Sequence, residues 1–330
     1  MAVWMLVVGS LLLAVVFCDV VATTLSTGAA AGPVTARIGP GWWRLARRLA
    51  RTATSPLIVV SGPVVILLTL GVWLALLWGG WALVFSADPD AVVSTSTQTP
   101  ASGWSRVYYS AFTVFTLGVG DYIPNGQPWE VLTGVAVLSG LGLTTLAITY
   151  LVPVVSAVTA RRVQAITIAG MGPTSQDIII SAHRDHGFDH LDHRLQTLSD
   201  QMVQTAERHL SYPVMHYFHS ADRDVDLRVQ LYALDEAVSL LQHAVAPDVA
   251  PHPAVLEGVR HAVQQVIHRA TDEPAGGDPP PPPCLTPLRE AGIPAVEDDT
   301  FATRLVDLAP HRRRLLSFAR ESLWPVPEPD

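Results

Sequence analysis

The sequence has 330 residues, of which 49% are hydrophobic and only 15% are charged, and its mean hydropathy is +0.31. Soluble domains carry about 25% charged residues, so this composition excludes both an ordinary soluble protein and a disordered one. The formal charge is uneven: residues 1–160 hold six Arg and five acidic residues (net +1), whereas residues 161–330 hold 15 Arg and 24 acidic residues (net −9). An acidic second half without a basic stripe argues against nucleic acid as a partner.

Three apolar segments are long enough to cross a membrane, which takes about 20 helical residues. They are residues 3–22, 57–85 and 129–158. A cleaved signal peptide is the alternative for the first segment, because Ala29 and Ala31 form a small-x-small pattern. No basic residue precedes that segment, however, and the alanines lie well past its end, so we favour a retained transmembrane helix over residues 1–25.

Arginine residues predict the orientation, since they concentrate on the cytoplasmic side of membrane proteins. Five of them lie between the first two segments, and Arg161 and Arg162 follow the third. We therefore predict a multi-pass protein of the plasma or inner membrane. Its N-terminus and residues 86–128 would lie outside the cell, and its C-terminus would lie in the cytoplasm.

Residues 26–56 form a basic linker after the first helix. Over residues 42–51, apolar and basic side chains would lie on different faces of a helix, which predicts a helix in the cytoplasmic headgroup layer. Anionic lipid is then the expected partner of Arg44, Arg47, Arg48 and Arg51. A plain linker whose charges only stop translocation is the alternative.

The loop between the second and third segments carries the most informative motif. Residues 104–115 contain neither Gly nor Pro and predict a short helix. Residues 116–121 follow with the sequence Thr-Leu-Gly-Val-Gly-Asp, in which glycine recurs at alternate positions. Glycine adopts backbone conformations that other residues avoid, so successive carbonyl groups can face one axis. Such a row of oxygens can replace the hydration shell of a cation.

Residues 116–121 resemble the selectivity-filter signature of potassium channels, Thr-Val-Gly-Tyr-Gly-Asp. Residues 15–160 as a whole also look like bacterial members that add one helix before the two pore helices. The resemblance implies an all-α membrane protein, namely a tetrameric P-loop cation channel with an extra N-terminal helix. Its pore domain, residues 57–160, would comprise an outer helix (57–85), a pore helix (104–115), a filter (116–120) and an inner helix (129–158).

The resemblance also implies roles for the residues of the filter. K⁺ would bind at Thr116, Leu117, Gly118 and Val119, Gly120 would complete the filter, and Asp121 would support the outer mouth. One such loop cannot enclose an axis, so a homotetramer in the lipid bilayer is expected. A plain extracellular turn at Gly118 and Gly120 is the structural alternative.

Two filter residues depart from the signature. Val119 stands where an aromatic ring normally braces the filter, and Leu117 stands where valine is usual. Backbone carbonyls do the coordinating, so we predict a potassium channel that conducts K⁺ passively. A weakly selective or sodium-permeable cation channel is one alternative, and a non-conducting membrane sensor or scaffold is the other.

The predicted inner helix contains three residues at which it could bend. Gly140 and Gly142 follow the filter by about 20 residues, and Pro153 lies farther inward. Glycine weakens a helix and proline removes one of its hydrogen bonds, so these residues are candidates for a gating hinge. Close packing of membrane helices also favours glycine and is the alternative.

The second half is predicted to form a helical cytoplasmic domain over residues 161–272. Apolar residues repeat there at spacings of three and four, from Phe188 to Met202 and from Leu227 to Val245, which is typical of a helical bundle or of helices paired around a tetramer axis. Residues 273–299 predict an acidic, Pro-rich linker. Residues 300–330 predict a C-terminal helix and tail.

Four histidines repeat at spacings of three, four and three: His183, His186, His190 and His193. On one continuous helix they would share a face, where they could sense pH or bind a metal ion. A solvated face with neither role is the alternative. No nucleophile and base pair stands out, so we expect no enzyme activity, no catalytic residue and no cofactor besides the permeant K⁺.

Overall fold

The computed structural model describes residues 2–25, 31–50, 55–183, 187–188, 190–271, 277–322 and 324–326. Nearly all regular structure within these residues is helical, as the sequence predicts. In chain order the α-helices are α1 (Val3–Leu25), α2 (Thr35–Leu49), α3 (Pro56–Val59), α4 (Ser61–Ser86), α5 (Gly103–Val114), α6 (Trp129–Ala169), α7 (Ser175–Ala182), α8 (Leu191–Ser211), α9 (Leu227–His243), α10 (Pro253–Ala270), α11 (Thr286–Glu290), α12 (Asp298–Arg304) and α13 (Ala309–Arg320). Short 3₁₀ helices cover Pro213–Tyr217, Arg223–Val225 and Val306–Leu308, and an antiparallel sheet pairs β1 (Val92–Ser94) with β2 (Tyr122–Pro124).

The chain divides into two compact units. The first unit comprises Met1–Leu45 and Pro63–Val154, and the second unit comprises Ala46–Gly62 and Val155–Asp330. Helices α1, α4 and α6 are long and apolar enough to cross a membrane, which confirms the three predicted spanning segments.

The second predicted segment starts as two helices rather than one. Helix α3 ends at Val59, and α4 begins at Ser61. The reason is Pro63, which has no N–H to donate to the Val59 carbonyl and whose ring crowds that carbonyl. The basic segment 42–51 is helical as far as Leu49, where α2 ends.

Glycine lets α1 and α4 approach closely within the first unit. A Cβ atom on Gly9 would lie 2.7 Å from the Gly80 carbonyl oxygen, and one on Gly80 would lie 2.8 Å from the Leu13 side chain. Membrane helices lack a hydrophobic driving force between them and pack through such small residues. The additional N-terminal helix is therefore packed directly against α4.

Aromatic rings from three helices meet around Phe85, which is fully buried near the end of α4. The centroid of its ring lies 5.0 Å from that of Tyr109 in α5 and 6.3 Å from that of Trp129 in α6. The Tyr109 hydroxyl also lies 2.6 Å from the Thr133 hydroxyl of α6. These contacts hold α5 between α4 and α6.

Helix α9 forms the centre of the second unit. Every residue from Leu227 to Leu241 is buried, and α7, α10 and α13 pack against this helix. The predicted apolar repeats lie in the same core, in α8 as well as in α9. The predicted C-terminal helix is divided into α12 and α13, and Pro310 lies in the first turn of α13, where its missing N–H costs no helical bond.

The buried helix α9 carries two carboxylates, and each has ionic partners. Asp235 lies 3.2 Å from Arg260 Nη1 and 2.9 Å from His311 Nε2. Glu236 accepts two hydrogen bonds of 2.9 Å from the Arg312 guanidinium. A buried charge needs a partner of this kind, because burial removes its hydration.

The proline-rich segment differs from the predicted linker. Pro280 and Pro283 are buried in the second unit. Arg312 donates to the carbonyl oxygens of Pro280 at 3.0 Å and of Pro281 at 2.8 Å. Residues 279–283 form neither helix nor strand, and Pro280 and Pro283 are packed whereas Pro281 and Pro282 are exposed.

Candidate ion pathway

Helix α5 begins at a serine cap and ends at the candidate filter. The Ser102 side chain accepts a hydrogen bond of 3.1 Å from the Ser105 N–H, which satisfies one of the free amides at the helix start. The helix ends at Val114. After Phe115 the backbone turns back toward the helix end: the Thr116 N–H donates to the Thr113 carbonyl at 3.1 Å, and the Leu117 N–H donates to the Phe112 carbonyl at 2.8 Å.

The backbone of the candidate filter alternates in the sign of φ. Thr116, Gly118 and Gly120 have φ values of +56°, +61° and +85°, whereas Leu117 and Val119 do not have positive φ. Alternation of this kind allows successive carbonyl groups to face the same side. Glycine adopts a positive φ freely, but threonine does so at a cost of about 1–2 kcal/mol, and strain of this kind is typical of functional segments.

The candidate filter is open on one side in a single chain. Residues 115–121 are exposed, and the Leu117 side chain is 71% exposed although it is apolar. A Cβ atom on Gly118 or Gly120 would meet nothing within 4 Å. Within the described part of the chain, one side of this segment is therefore open.

Aromatic contacts lie directly after Val119, where the sequence lacks the usual ring. The Tyr122 ring contacts the Tyr108 ring of α5 edge to face, with centroids 6.3 Å apart. Tyr108 in turn contacts Phe112 at 5.3 Å. These rings connect the end of the filter to α5.

The three hinge candidates in α6 have different surroundings. A Cβ atom on Gly140 would overlap the Val114 carbonyl oxygen at the end of α5, whereas one on Gly142 would meet nothing within 4 Å. Helix α6 continues through both glycines and Pro153. The Gly140 environment favours the packing alternative, since only glycine fits against α5 there.

The predicted histidine face does not form. Helix α7 ends at Ala182, so His183 is its C-cap, and α8 begins at Leu191, so His190 precedes it. Of the three described histidines of the repeat, only His193 lies in a helix. The helix is interrupted near Gly187, whose φ is +91°. His186 lies outside the described residues, and among those that are described no three His, Cys, Asp or Glu side chains could hold a metal ion.

The end of α6 is bound by a segment of the second unit that the sequence did not single out. The Arg161 guanidinium donates to the Met215 carbonyl at 3.1 Å and to the Phe218 carbonyl. The Phe218 ring covers Gly62, where a Cβ atom would lie 2.5 Å from the ring. Residues 213–219 therefore contact both the first turn of α4 and the last turns of α6.

Three histidines around this segment have strongly perturbed acidities. Burial lowers the pKa of His209 to about 3, with a further contribution from the positive charges of Arg161 and Arg228. The same causes, burial first, lower the pKa of His216 to about 4 and that of His219 to about 3. All three side chains are therefore neutral at physiological pH.

A buried carboxylate connects three helices of the first unit. Asp19 of α1 accepts hydrogen bonds from the Val34 N–H at 2.6 Å and from the Thr35 hydroxyl at 2.6 Å, at the start of α2. It also accepts one from the Trp73 indole N–H of α4 at 2.7 Å. These partners lie 15 to 54 residues away along the chain, so they depend on how the helices pack.

Comparison with known proteins agrees with this geometry. A family model described as "Ion channel" matches residues 63–157. The chain is 30% identical to "Uncharacterized membrane protein YdjJ" of Bacillus subtilis (strain 168) over 98% of this chain and 96% of that protein. No solved structure matches. The chain therefore belongs to the same family as YdjJ, and it carries an ion channel domain that includes its second and third candidate membrane helices.

Proposed function

We propose that the protein is a homotetrameric channel that conducts K⁺ passively through residues 116–120. The observation that carries this proposal is the alternating sign of φ along an exposed segment between two membrane helices. Irregular backbone at membrane depth is tolerated where it lines a water-filled path. The proposed activity moves an ion and has no chemical step.

The backbone of the filter supports potassium as the permeant ion. Carbonyl oxygens of Thr116, Leu117, Gly118 and Val119 would replace the hydration shell of K⁺, so the side chains at positions 117 and 119 need not contact it. The positive φ of Thr116 supports this role, because an ordinary turn has no need of a strained threonine.

The open side of the filter supports a tetramer. A pathway needs oxygens on every side of the ion, and one chain supplies them on one side only. Further copies related by a closed rotation would complete the ring. The exposed apolar residues of α6, among them Val131, Leu138 and Val152, would then contact neighbouring copies or line the pathway.

The orientation inferred from the arginines supports a lipid contact for α2. Arg44, Arg47 and Arg48 are exposed on this helix, and Arg51 lies outside the described residues. With the arginines on the cytoplasmic side, as proposed, their side chains would meet anionic headgroups, each worth about 1 kcal/mol.

We further propose that the second unit regulates the pore from the cytoplasm. The support is the pair of hydrogen bonds by which Arg161 binds residues 213–219. Movement of that segment would act on the end of α6, and bending at Gly142 or Pro153 would then open or close the pathway. Gly140 is the least suitable hinge of the three, because it is packed against α5.

Purified full-length protein in planar bilayers, under opposed K⁺ and Na⁺ gradients, tests the proposed function. We expect the reversal potential to approach that of K⁺. Equal permeability would favour the sodium-permeable alternative, and the absence of any current would favour the sensor or scaffold. Gly118→Ala should reduce the K⁺ current, because its φ is +61°, whereas Gly103→Ala, in open space without positive φ, should not.

A further inference from the structure

The turn after β1 contacts the outer end of the candidate filter. In the sheet, Ser94 pairs with Tyr122, so the next residue, Thr95, lies opposite Asp121. The Thr95 N–H accordingly donates to the Asp121 carbonyl at 3.0 Å. The position of Thr95 is thus fixed by the sheet register and not by its own side chain.

The Thr95 hydroxyl adds a second bond to the same segment. It donates to the Gly120 carbonyl oxygen at 2.6 Å. Gly120 has a φ of +85° and no side chain that could limit its rotation. One lone pair of the last filter carbonyl is therefore occupied by a protein donor.

The remaining polar groups of this turn bond within the turn. The Thr97 and Thr99 hydroxyls lie 2.7 Å apart, and the Gln98 side-chain amide donates to the Thr95 carbonyl at 3.0 Å. The Gln98 N–H donates to the Ser94 carbonyl at 2.9 Å. The turn is therefore internally fixed, and Thr95 connects it to the filter.

The outer end of the filter needs such a connection because position 119 is a valine. An aromatic residue there could pack behind the filter, but Val119 is 42% exposed. The Tyr122 ring, two residues after Gly120, contacts α5. The Thr95 hydroxyl binds the Gly120 carbonyl itself.

We propose that Thr95 is a positioning residue that holds the outer end of the filter at its working diameter and so sets the preference for K⁺ over Na⁺. The inference rests on the proposed function. Thr95 contacts no ion itself; it acts through the Gly120 carbonyl. Ion coordination by free carbonyl groups then begins one residue farther in.

Reversal potentials of Thr95→Val, Thr95→Ser and Thr97→Val test the effect on selectivity. Thr95→Val keeps the branched shape and removes only the hydroxyl, so we expect the K⁺ over Na⁺ permeability ratio to fall about fivefold, the factor that one neutral hydrogen bond is worth. Thr95→Ser keeps a hydroxyl donor and should therefore have the wild-type ratio. Thr97→Val alters the same turn without touching the Gly120 carbonyl and should also have the wild-type ratio. A wild-type ratio in Thr95→Val overturns the proposal.

Hydrogen exchange of the same purified proteins tests the bond between Thr95 and the Gly120 carbonyl, here called the brace, independently of any measurement of ion current. Amides of residues 92–95 and 121–124 should exchange faster in Thr95→Val than in the wild type, and at the wild-type rate in Thr97→Val. Unchanged exchange in Thr95→Val overturns the brace. If the wild-type channel does not discriminate between K⁺ and Na⁺, the proposed function fails while this measurement still decides whether Thr95 holds the filter.

Discussion

Asp235, Glu236 and Arg312 of the second unit are at most 3% exposed, and each has an ionic partner in the same chain. In the first unit, by contrast, the candidate filter is exposed and strained. The second unit thus pairs these buried charged side chains with partners from the same chain. In the channel that we propose, the candidate filter of the first unit would be completed by other copies of the chain and by ions. Four changes test this difference.

Arg312→Met should produce the largest effect, confined to the second unit. It leaves Glu236 buried without its guanidinium and removes the donor to the Pro280 and Pro281 carbonyls. We expect the free energy of unfolding of this unit to fall by about 3–5 kcal/mol. Hydrogen exchange of α9 amides in the full-length protein measures it.

The matched control is Arg289→Met, which breaks the exposed pair between Arg289 and Asp298. An exposed pair is worth about 1 kcal/mol or less, so α9 exchange should hardly change. Equal effects of the two substitutions would show that the buried pair is no more important than the surface pair.

Gly140→Ala should damage the first unit by overpacking. Its Cβ atom would overlap the Val114 carbonyl oxygen, and a backbone atom cannot move aside as a flexible side chain can. We expect a loss of about 3 kcal/mol, the upper end for overpacking, measured as faster hydrogen exchange of α5 amides. Gly142→Ala is the control, since its Cβ atom would meet nothing within 4 Å. If Gly142→Ala accelerates the exchange of α5 amides as much as Gly140→Ala does, the packing argument is wrong.

Acidification from pH 7 to pH 5 should destabilise the second unit. His209 is neutral when folded, because its pKa is about 3, but it gains a proton near pH 6.5 when unfolded. Below pH 6.5 the unfolded state therefore binds more protons than the folded state. The free energy of unfolding decreases as the pH is lowered, by about 2 kcal/mol between pH 7 and pH 5 for His209 alone. Thermal unfolding of the full-length protein at the two pH values measures the change.

The pH effect has its own control pair. His209→Gln should lose its share of the pH dependence, whereas His261→Gln, at an exposed position of α10, should keep all of it. Identical pH dependence in wild type and His209→Gln would contradict the burial of a neutral His209.

Asp19→Asn should have the smallest effect. Asn keeps the shape but loses the charge that receives the Val34, Thr35 and Trp73 donors. We expect a loss of about 1 kcal/mol, as for a helix cap, seen as faster exchange at the start of α2. Cys18→Ala, at the adjacent exposed position, should leave α2 unchanged.

Sequence patterns identified the elements whose evidence is local. The apolar runs predicted α1, α4 and α6, and the stretch without Gly or Pro predicted α5 within one residue at each end. The alternating glycines marked the segment whose φ alternates, although the positive φ of Thr116 had no signal in the sequence.

Features that depend on distant partners were not predicted. Thr95 meets Gly120 only because β1 and β2 pair, and Glu236 meets Arg312 across 76 positions of the chain. The histidine repeat predicted a shared face because its spacing was interpreted on one continuous helix. In the structure, α7 ends at Ala182 and α8 begins only at Leu191. The proline composition predicted an extended segment, but it could not predict that Arg312 donates hydrogen bonds to the Pro280 and Pro281 carbonyls.

The bond between Arg312 and the proline segment has a consequence for biosynthesis. The chain is made from its N-terminus, so Glu236 and the prolines leave the ribosome before α13 exists. Until α13 docks, a core carboxylate lacks its counter-ion and the proline carbonyls lack their donor. The candidate membrane helices, all encoded earlier, therefore leave the ribosome before the second unit can close.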